Sequence, residues 1–525
     1  MYIEPNSRII FLKDCPLDSK HENTILFDTP ELQYEYFYAL KKSNLHDLTK
    51  LSYTRINNGV CRVQLKVEDL YDCNYMMFKN ESFENKWFYA FITGVNYVSN
   101  IVSEVTFKID DLQTWFFDIE LLDSYVEREH SVTDIAGEHI VDEPVKLGEY
   151  TYSQMYNTGL FHPNLWSLVI ATPYVDDDGD TQSSAYLGAF TGLVFRRFNI
   201  DNFVGIINFL DGLGERVNSI VAMYLVPNAI CGTGKYVSSS IIHNEITKSK
   251  PTTLGSYTSI KNKKLLTYPY TYLGVTSNQG DLREFKYEDF SGDEAKFDIC
   301  GDCTPNGNLM CIPVDYKNQL INSPVFVTNN YATCEGVVIH DFPTVAWTSE
   351  AYQMWLAQNK NSLNTKIGLG VGGGLLGTIV GVATANPLLA TGGVTSVVNT
   401  IANSLASVKD AQAMPNSVIG ANSNMLLKGI NSFDFFFTQV YIKEEFAKII
   451  DDFFSVYGYA TKRIKKPNIS SRPHWNYIQT IGCNIIGSCP SDSIEAIKKI
   501  FDRGITFWKN GDEIGDYSLD NSPVE

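Results

Sequence analysis

The sequence lacks an apolar run of signal-peptide length at its start, where Met1 to Phe11 carries both Glu4 and Arg8. Export through an amino-terminal signal is not expected, and the chain reads as one made and assembled in a cytoplasm. Positive charge is scarce as well. The 42 Lys and Arg stand against 60 Asp and Glu, a net charge of −18, so attraction to nucleic-acid phosphates or to an anionic bilayer is not a property of the whole chain. Any DNA contact is local, or is a passage built not to stick. Proline is sparse at 19 residues, while hydrophobic residues reach 44% and charged ones only 19%, which excludes disordered and collagen-like classes. The 10 cysteines are scattered, and without an export signal free thiols in a reducing compartment are expected.

What is present is length and aromatic content. At 525 residues the chain exceeds a single hydrophobic core and should divide into roughly three or four units. A small disulfide-stapled scaffold is excluded. Aromatics make up 13%, with 30 Tyr and 30 Phe, an excess that suits pleated surfaces. The fold class expected is mainly β with α, an α+β chain.

Strand patterns run over Val60–Val67, Trp87–Val98 and Ile101–Ile109, the last two as a hairpin turning at Ser99-Asn100. Asp110 or Asp111 then caps a short helix through Leu112, Trp115 and Phe116, ahead of a strand near Leu121–Val126. From about Leu147 to Trp347 the apolar runs are short, as at Leu165–Ala171, Leu193–Phe198 and Val325–Thr328. One helix, Asn202–Leu213, is expected among them. Towards the end, Glu444–Tyr457 places Phe446, Ile449, Ile450, Phe453, Phe454 and Tyr457 on one helical face and stops at Gly458. A strand Trp475–Ile486 follows, then a helix opened by Asp492 and Glu495, carrying Ile494, Ile497 and Ile500, closed by Gly504, and a strand Ile505–Trp508. Strand, strand, helix, strand thus recurs at both chain ends and hints at two related domains.

One stretch is unlike the rest. Between Lys366 and Lys409 there is no charged side chain. Asn386-Pro387 divides it into two arms of about 19 or 20 residues, each about 29 Å long as a helix, close to the ~30 Å hydrocarbon core of a bilayer. The first arm holds Ile367, Leu369, Gly372, Gly373, Leu375, Leu376, Ile379 and Val380; Pro387 marks the turn; the second arm holds Leu388, Leu389, Val394, Val397, Val398, Ile401 and Leu405. These residues are the candidate membrane-active site. Seven glycines in the first arm, each costing about 1 kcal/mol relative to Ala, disfavour a helix in water. In lipid the same small residues allow close helix packing, so insertion is conditional. A glycine-rich loop buried within an assembly is the alternative reading.

Several motifs offer chemistry and fall short of it. Gly232-Thr233-Gly234-Lys235 lacks the first glycine of a phosphate loop, and Tyr236 stands where its Ser or Thr belongs. Cys300, Cys303, Cys311 and Cys334 have one zinc-like spacing, but Asn306-Gly307 marks a hairpin between Cys303 and Cys311. Asp176-Asp177-Asp178-Gly179-Asp180 departs from calcium-loop spacing and reads as an acidic turn. In Glu127-Arg128-Glu129-His130, strand alternation puts the two carboxylates on one face and Arg128 with His130 on the other, a subunit-interface ion-pair ladder rather than an acid/base pair. Lys462-Arg463 with Lys465-Lys466 reads as a solvated loop or intersubunit contact. No catalytic constellation, cofactor or metal is expected.

Around the charge-free stretch the chain resembles a known family. Asn359-Lys360-Asn361-Ser362-Leu363 precedes it, and Asn85-Lys86-Trp87-Phe88-Tyr89-Ala90-Phe91, Leu112-Gln113-Thr114-Trp115 and Glu127-Arg128-Glu129-His130 lie upstream. Downstream come Tyr457-Gly458-Tyr459, Lys465-Lys466-Pro467-Asn468, Asn476-Tyr477-Ile478-Gln479-Thr480, Gly504-Ile505-Thr506 with Trp508, and Ile514-Gly515 with Tyr517-Ser518. Together these resemble the tail knob, or distal tail tube, proteins of small short-tailed phages of Gram-positive bacteria. The likeness covers roughly Asn85–His130, Trp355–Lys366 and Lys443–Ser518, and gives no residue-level match over Leu147–Trp347.

The resemblance implies β-rich tube domains at residues 1–146 and 433–525, a central β-rich knob domain at 147–350, and a long hydrophobic helical or irregular loop with its flanks at 351–432. It also implies a homo-oligomer, a hexamer, at the virion tail tip. Its partners would be other phage tail proteins, double-stranded DNA passing without specific binding, and the lipid of the host cell membrane that the loops enter during infection. The competing readings are a receptor-binding or wall-degrading tail protein and a freestanding pore-forming protein. The missing export signal counts against the latter.

Overall fold

The computed structural model describes residues 7–523 apart from 52, 57, 82–83, 162–164, 174–184, 188, 200–201, 278–280, 318–334 and 346–432. Two compact units share the chain: Met1–Glu149, Thr253–Tyr270 and Ile442–Glu525 build one, Tyr150–Thr252 and Thr271–Tyr441 the other.

The first unit holds a seven-stranded antiparallel sheet in the order Asp47–Leu51, Ser7–Lys13, Cys73–Asn80, Trp87–Ser99, Val102–Ile109, Asn58–Val63, Tyr53–Ile56. Its middle strands read as unbroken apolar runs because both faces are covered. Ile9, Phe11, Met76, Phe78, Phe88 and Ala90 point into one core, and Ile10, Leu12, Tyr75, Met77, Tyr89 and Phe91 into another. Helix Pro30–Ala39 seals the second core with Phe37, whose ring lies 4.7 Å from Tyr89 and 5.4 Å from Tyr75. The expected hairpin is present, turning one residue later than expected, since Ser99 pairs with Val102. Asp110 caps helix Asp111–Trp115 by accepting from Gln113 N at 3.1 Å.

A five-stranded sheet then joins the two chain ends, in the order Asn23–Ile25, Ile505–Trp508, Trp475–Ile481, Ser124–Glu129, Tyr459–Lys465. Helix Ser491–Arg503 packs on it through Ile497, Ile500 and Phe501, and Gly504 ends that helix with φ 97°. Its amino-terminal flank is Pro490, with Asp492 in the first turn, so the expected side-chain cap is absent. The strand read as Trp475–Ile486 is two, Trp475–Ile481 and Ile485–Gly487, because positive-φ Gly482 turns the chain between them.

Helix Glu444–Tyr457 has the expected bounds and ends at Gly458. Its buried face is Ala447, Ile450, Asp451 and Phe454, whereas Ile449 and Tyr457 are exposed. Hydrophobicity alone misplaced that face because a buried carboxylate, Asp451, belongs to it.

The second unit gathers a five-stranded sheet (Tyr150–Tyr152, Phe436–Ile442, Thr271–Thr276, Leu282–Phe285, with Tyr156–Asn157 also paired to Phe436–Ile442), a three-stranded one (Val194–Asn199, Trp166–Thr172, Ala222–Pro227) and a four-stranded one (Asn244–Ser249, Glu294–Gly301, Asn308–Val314, Val337–His340) around one core. Helix Phe203–Leu213 is capped by Asn202, which accepts from Gly205 N at 3.0 Å. The expected run Val325–Thr328 lies outside the described residues.

Candidate functional site

The membrane-active residues named from the sequence, Ile367 through Leu405, all lie outside the described residues, as does the acidic run Asp176–Asp180. What is described is where the chain leaves and returns around them. Before residue 346, Val345 N donates to Met223 O at 2.8 Å and Leu225 N donates to Pro343 O at 2.9 Å, so the strand Ala222–Pro227 holds the outgoing end. Phe342 is buried against Tyr224. After residue 432, Phe433 is buried between Trp166 and Phe342, with ring centroids 5.1 Å and 5.7 Å away.

The two ends are therefore pinned side by side in one aromatic cluster. Asp434 secures the return: its Oδ1 accepts from Thr158 Oγ1 at 2.6 Å and Phe435 N at 2.7 Å, and burial raises its carboxyl above the ordinary value. Phe435 and Phe437 then run into the core on the way to strand Phe436–Ile442. Sequence reasoning passed over this anchor. Its available signal was the aromatic run Phe433-Asp434-Phe435-Phe436-Phe437. Among the described residues, no helix is long and apolar enough to cross a membrane.

The Glu127–His130 motif departs from simple alternation. A bulge between Val126 and Arg128 breaks the register, and Arg128, Glu129 and His130 are buried in succession. Their partners are within the chain. Arg128 donates to the Glu143 carboxylate and, at 2.7 Å, to Gly458 O; Glu129 accepts from Lys465 Nζ and from Asn468 N. His130 accepts at Nδ1 from Tyr477 N at 2.7 Å and donates from Nε2 to Ser455 O at 3.1 Å. Burial, reinforced by Arg472 and Arg128, drops its pKa to about 3, so it is a neutral structural imidazole. The expected interface ladder is an internal brace.

Lys462 to Lys465 lie on the strand Tyr459–Lys465, not in a loop. In the glycine segment, the carbonyls of Thr233 and Gly234 accept from Arg197 at 2.6 Å and 2.7 Å. Carbonyls converging on a guanidinium are the reverse of a phosphate cradle, which presents N–H groups. Cys300 and Cys311 sit on the paired strands Glu294–Gly301 and Asn308–Val314 as the hairpin signal indicates, but Cys311 pairs with Ile299, so the two thiols occupy opposite faces. Nine cysteines are described, all as free thiols.

The sequence model of the family described as Bacillus phage phi29 tail knob protein gp9, C-terminal domain, matches residues 235–522. The chain belongs to this tail knob protein family. The match begins well inside the stretch from Leu147 to Trp347, where the sequence by itself showed no likeness. A second family model, described as Caudoviral major tail protein N-terminus, matches residues 5–120. The tail knob protein gp9 of Bacillus phage B103 is 26% identical, over 97% of each chain, and that of Bacillus phage phi29 is 25% identical, over 98% of each. The solved tail knob protein gp12 of bacteriophage C1 shares the fold, with a TM-score of 0.63 at 13% identity over 99% of this chain and 100% of that one. This tail knob family member is a structural protein of a phage tail, with a mainly β fold.

Proposed function

We propose that this protein forms an oligomeric tube at the tail tip, a hexamer, through which DNA passes, plugged by hydrophobic segments that leave it to penetrate the host cell membrane. Residues 1–146 and 433–525 supply the tube, 147–350 the knob and 351–432 the membrane-active loop. The observation that carries this reading is the anchor: Phe342 and Phe433 stand 5.7 Å apart, so the chain holding Ile367–Val408 starts and finishes at one place. A charge-free hairpin of two bilayer-length arms needs that topology to enter and leave lipid on one side. Its sixteen named residues act by burial in lipid. The protein is assembled in the host cytoplasm, reaches the tail with other tail proteins, and performs no turnover of its own.

A second feature supports self-association. Ile464, Tyr125 and Ile481 are directly opposite one another on three adjacent strands, and are 73%, 37% and 59% exposed. Such a stripe suits a copy-to-copy contact. The net charge of −18 suits passage of DNA, since an acidic or neutral wall does not trap phosphates.

Dye release from liposomes tests the membrane step. The intact protein is expected to release dye once its segment is freed, Leu376→Lys and Val380→Asp to release little, and a chain lacking Ile367–Val408 none. A mid-arm charge opposes insertion by about 2.5–3.5 kcal/mol per copy. Release by the deleted chain equal to the parent's would move membrane opening elsewhere. Light scattering separately tests the ring: a monomer at micromolar concentration removes the tube, and Ile464→Glu with Ile481→Glu should weaken assembly.

A further inference from the structure

The sheet register assembles a set of metal-binding atoms that no cysteine spacing reveals. In the paired strands Asn244–Ser249 and Glu294–Gly301, Asn244 lies opposite Ile299 and Glu245 opposite Asp298. One step beyond the ladder, His243 comes abreast of Cys300. Asp298 and Cys300, two apart on one strand, share its face with His243. A ring nitrogen, a carboxylate oxygen and a thiol sulfur thereby lie within 4.8 Å of one another. His243 Nδ1 and Asp298 Oδ2 are already 2.9 Å apart.

We propose that His243, Asp298 and Cys300 bind a divalent metal ion of borderline softness, zinc above all, with water in the fourth position. Three properties point this way. First, a tetrahedral zinc with bonds of about 2.0–2.3 Å spaces its ligand atoms about 3.3–3.7 Å apart, so small side-chain rotations close the observed set. Second, the mixture of imidazole and sulfur with one oxygen selects zinc-like ions over calcium or magnesium. Third, the charges balance: a thiolate, a carboxylate and a neutral imidazole carry two negative charges against the ion's two positive ones. A neutral cluster suits a place where Asp298 and Cys300 are buried. The His243 side chain is 38% exposed and gives the ion its way in. Glu245, on the same face, is engaged 3.9 Å from Lys296 and is not needed.

Without metal the Cys300 thiol keeps its proton, because burial and then the Asp298 charge raise its pKa. Binding therefore breaks the S–H bond and forms the metal–sulfur bond. The His243 Nδ1–H that faces the Asp298 carboxylate gives way to the Nε2–H tautomer by exchange with solvent, which frees Nδ1 for the ion, and the thiol's proton is the one that leaves to solvent for each ion bound. Bridging the start of one strand to the middle of its neighbour, the ion acts as a clamp on this sheet.

The full chain, stripped by chelator and kept reduced, is titrated with zinc and, as a coloured substitute, with cobalt(II). Expected are one zinc per chain, one proton released, a higher unfolding temperature and a sulfur-to-cobalt charge-transfer band. Cys300→Ser should lose the band, and His243→Gln should keep it while weakening zinc by at least about tenfold. Cys303→Ser should change neither, since its sulfur lies against Ile230 O at 3.4 Å in the apolar core. No band in the parent, or the parent's band unchanged in Cys300→Ser, overturns the site. Should Cys300→Ser not fold, exposed His243→Gln decides: unaltered zinc affinity in that variant is equally fatal.

Discussion

In the unit built from Met1–Glu149, Thr253–Tyr270 and Ile442–Glu525, one junction of segments far apart in sequence is tied by buried charge; in the unit of Tyr150–Thr252 and Thr271–Tyr441 the junction at Phe433 is tied chiefly by aromatic rings, with Asp434 bonded to Thr158 beside it. Asp451, fully buried, accepts from Tyr257 Oη at 2.6 Å, Lys261 N at 2.9 Å, and both Asn262 N and Nδ2 at 2.9 Å and 2.8 Å. Glu143, whose side chain is fully buried, joins Arg128, Lys264 and Ala460 N. The corresponding junction of the second unit is Trp166, Phe342 and Phe433. Directional hydrogen bonds fix one register among three chain segments and tolerate little change. Ring packing is indifferent to direction, and suits a junction from which a long apolar segment departs.

That difference should appear first in the size of the losses. Asp451→Ala leaves Tyr257 Oη, Lys261 N and Asn262 N without their carboxylate acceptor, while Asn262 Nδ2 keeps Asp451 O and Ser455 Oγ, and should destabilise the first unit by about 3–5 kcal/mol. Hydrogen exchange should show lost protection in Trp475–Ile481 and Glu444–Tyr457, with Trp166–Thr172 unchanged. Phe433→Ala should cost the second unit about 3–5 kcal/mol with the opposite pattern. Conservative variants sharpen the contrast. Phe433→Leu keeps most of the packing and should cost only about 1–2 kcal/mol, whereas Asp451→Asn turns an acceptor into a donor facing Lys261 N and should remain severe. Equal tolerance at both positions would erase the distinction.

Acid should then separate the units by sign. His130, with a folded pKa of about 3 against an unfolded value near 6.5, binds fewer protons folded than unfolded between those limits. Its contribution is full above about pH 6.5 and is lost as pH falls towards 3, at roughly 1 kcal/mol per pH unit. Asp434 runs the other way. Its carboxyl is raised by burial, so the folded state holds its proton more firmly, and acidification through that raised value relieves a cost present at neutral pH. Urea midpoints followed by exchange at pH 7 and pH 4.5 should fall for the first unit and fall less, or rise, for the second. His130→Gln should flatten the first unit's response; an unaltered slope would remove His130 as its source.

How much of this was legible in the sequence follows the range of the interactions. Helix ends at Gly458 and Gly504, and a cap at Asp110 or its neighbour Asp111, are set within a few residues and were legible, whereas Asn202 was taken as the first residue of its helix and is its cap. The bulge at Glu127 was not, because it arises from pairing with strands more than 300 residues away. The Asp451 hub reaches back about 190 residues to Asn262, and such distances leave no local periodicity. The same holds for the candidate site. Its charge-free arms were plain in composition, while the meeting of Phe342 with Phe433 and of His243 with Cys300 needed the folded sheets.

The smallest expected effect lies within a single dipeptide. Lys465 and Lys466 are adjacent on the sequence motif Lys465-Lys466-Pro467-Asn468, yet their surroundings differ. Lys465 reaches the buried carboxylate of Glu129, which is only 3% exposed and also accepts from Asn468 N at 3.1 Å. Lys466 is mostly exposed and stands 3.5 Å from the equally exposed Glu120. Lys465→Met should leave Glu129 undercompensated and cost about 1.5–3 kcal/mol, the range for hydrogen bonds to a charged group. Lys466→Met should cost well under ~1 kcal/mol, because water and salt screen an exposed pair that also loses side-chain entropy. The urea midpoint of each variant, in low and in high salt, separates the two: the loss at Lys465 should survive added salt, whereas the trace at Lys466 should vanish. If Lys466→Met instead proved the more damaging, the first unit would depend on surface charge rather than on buried ties, and its contrast with the aromatic junction at Phe433 would have to be withdrawn.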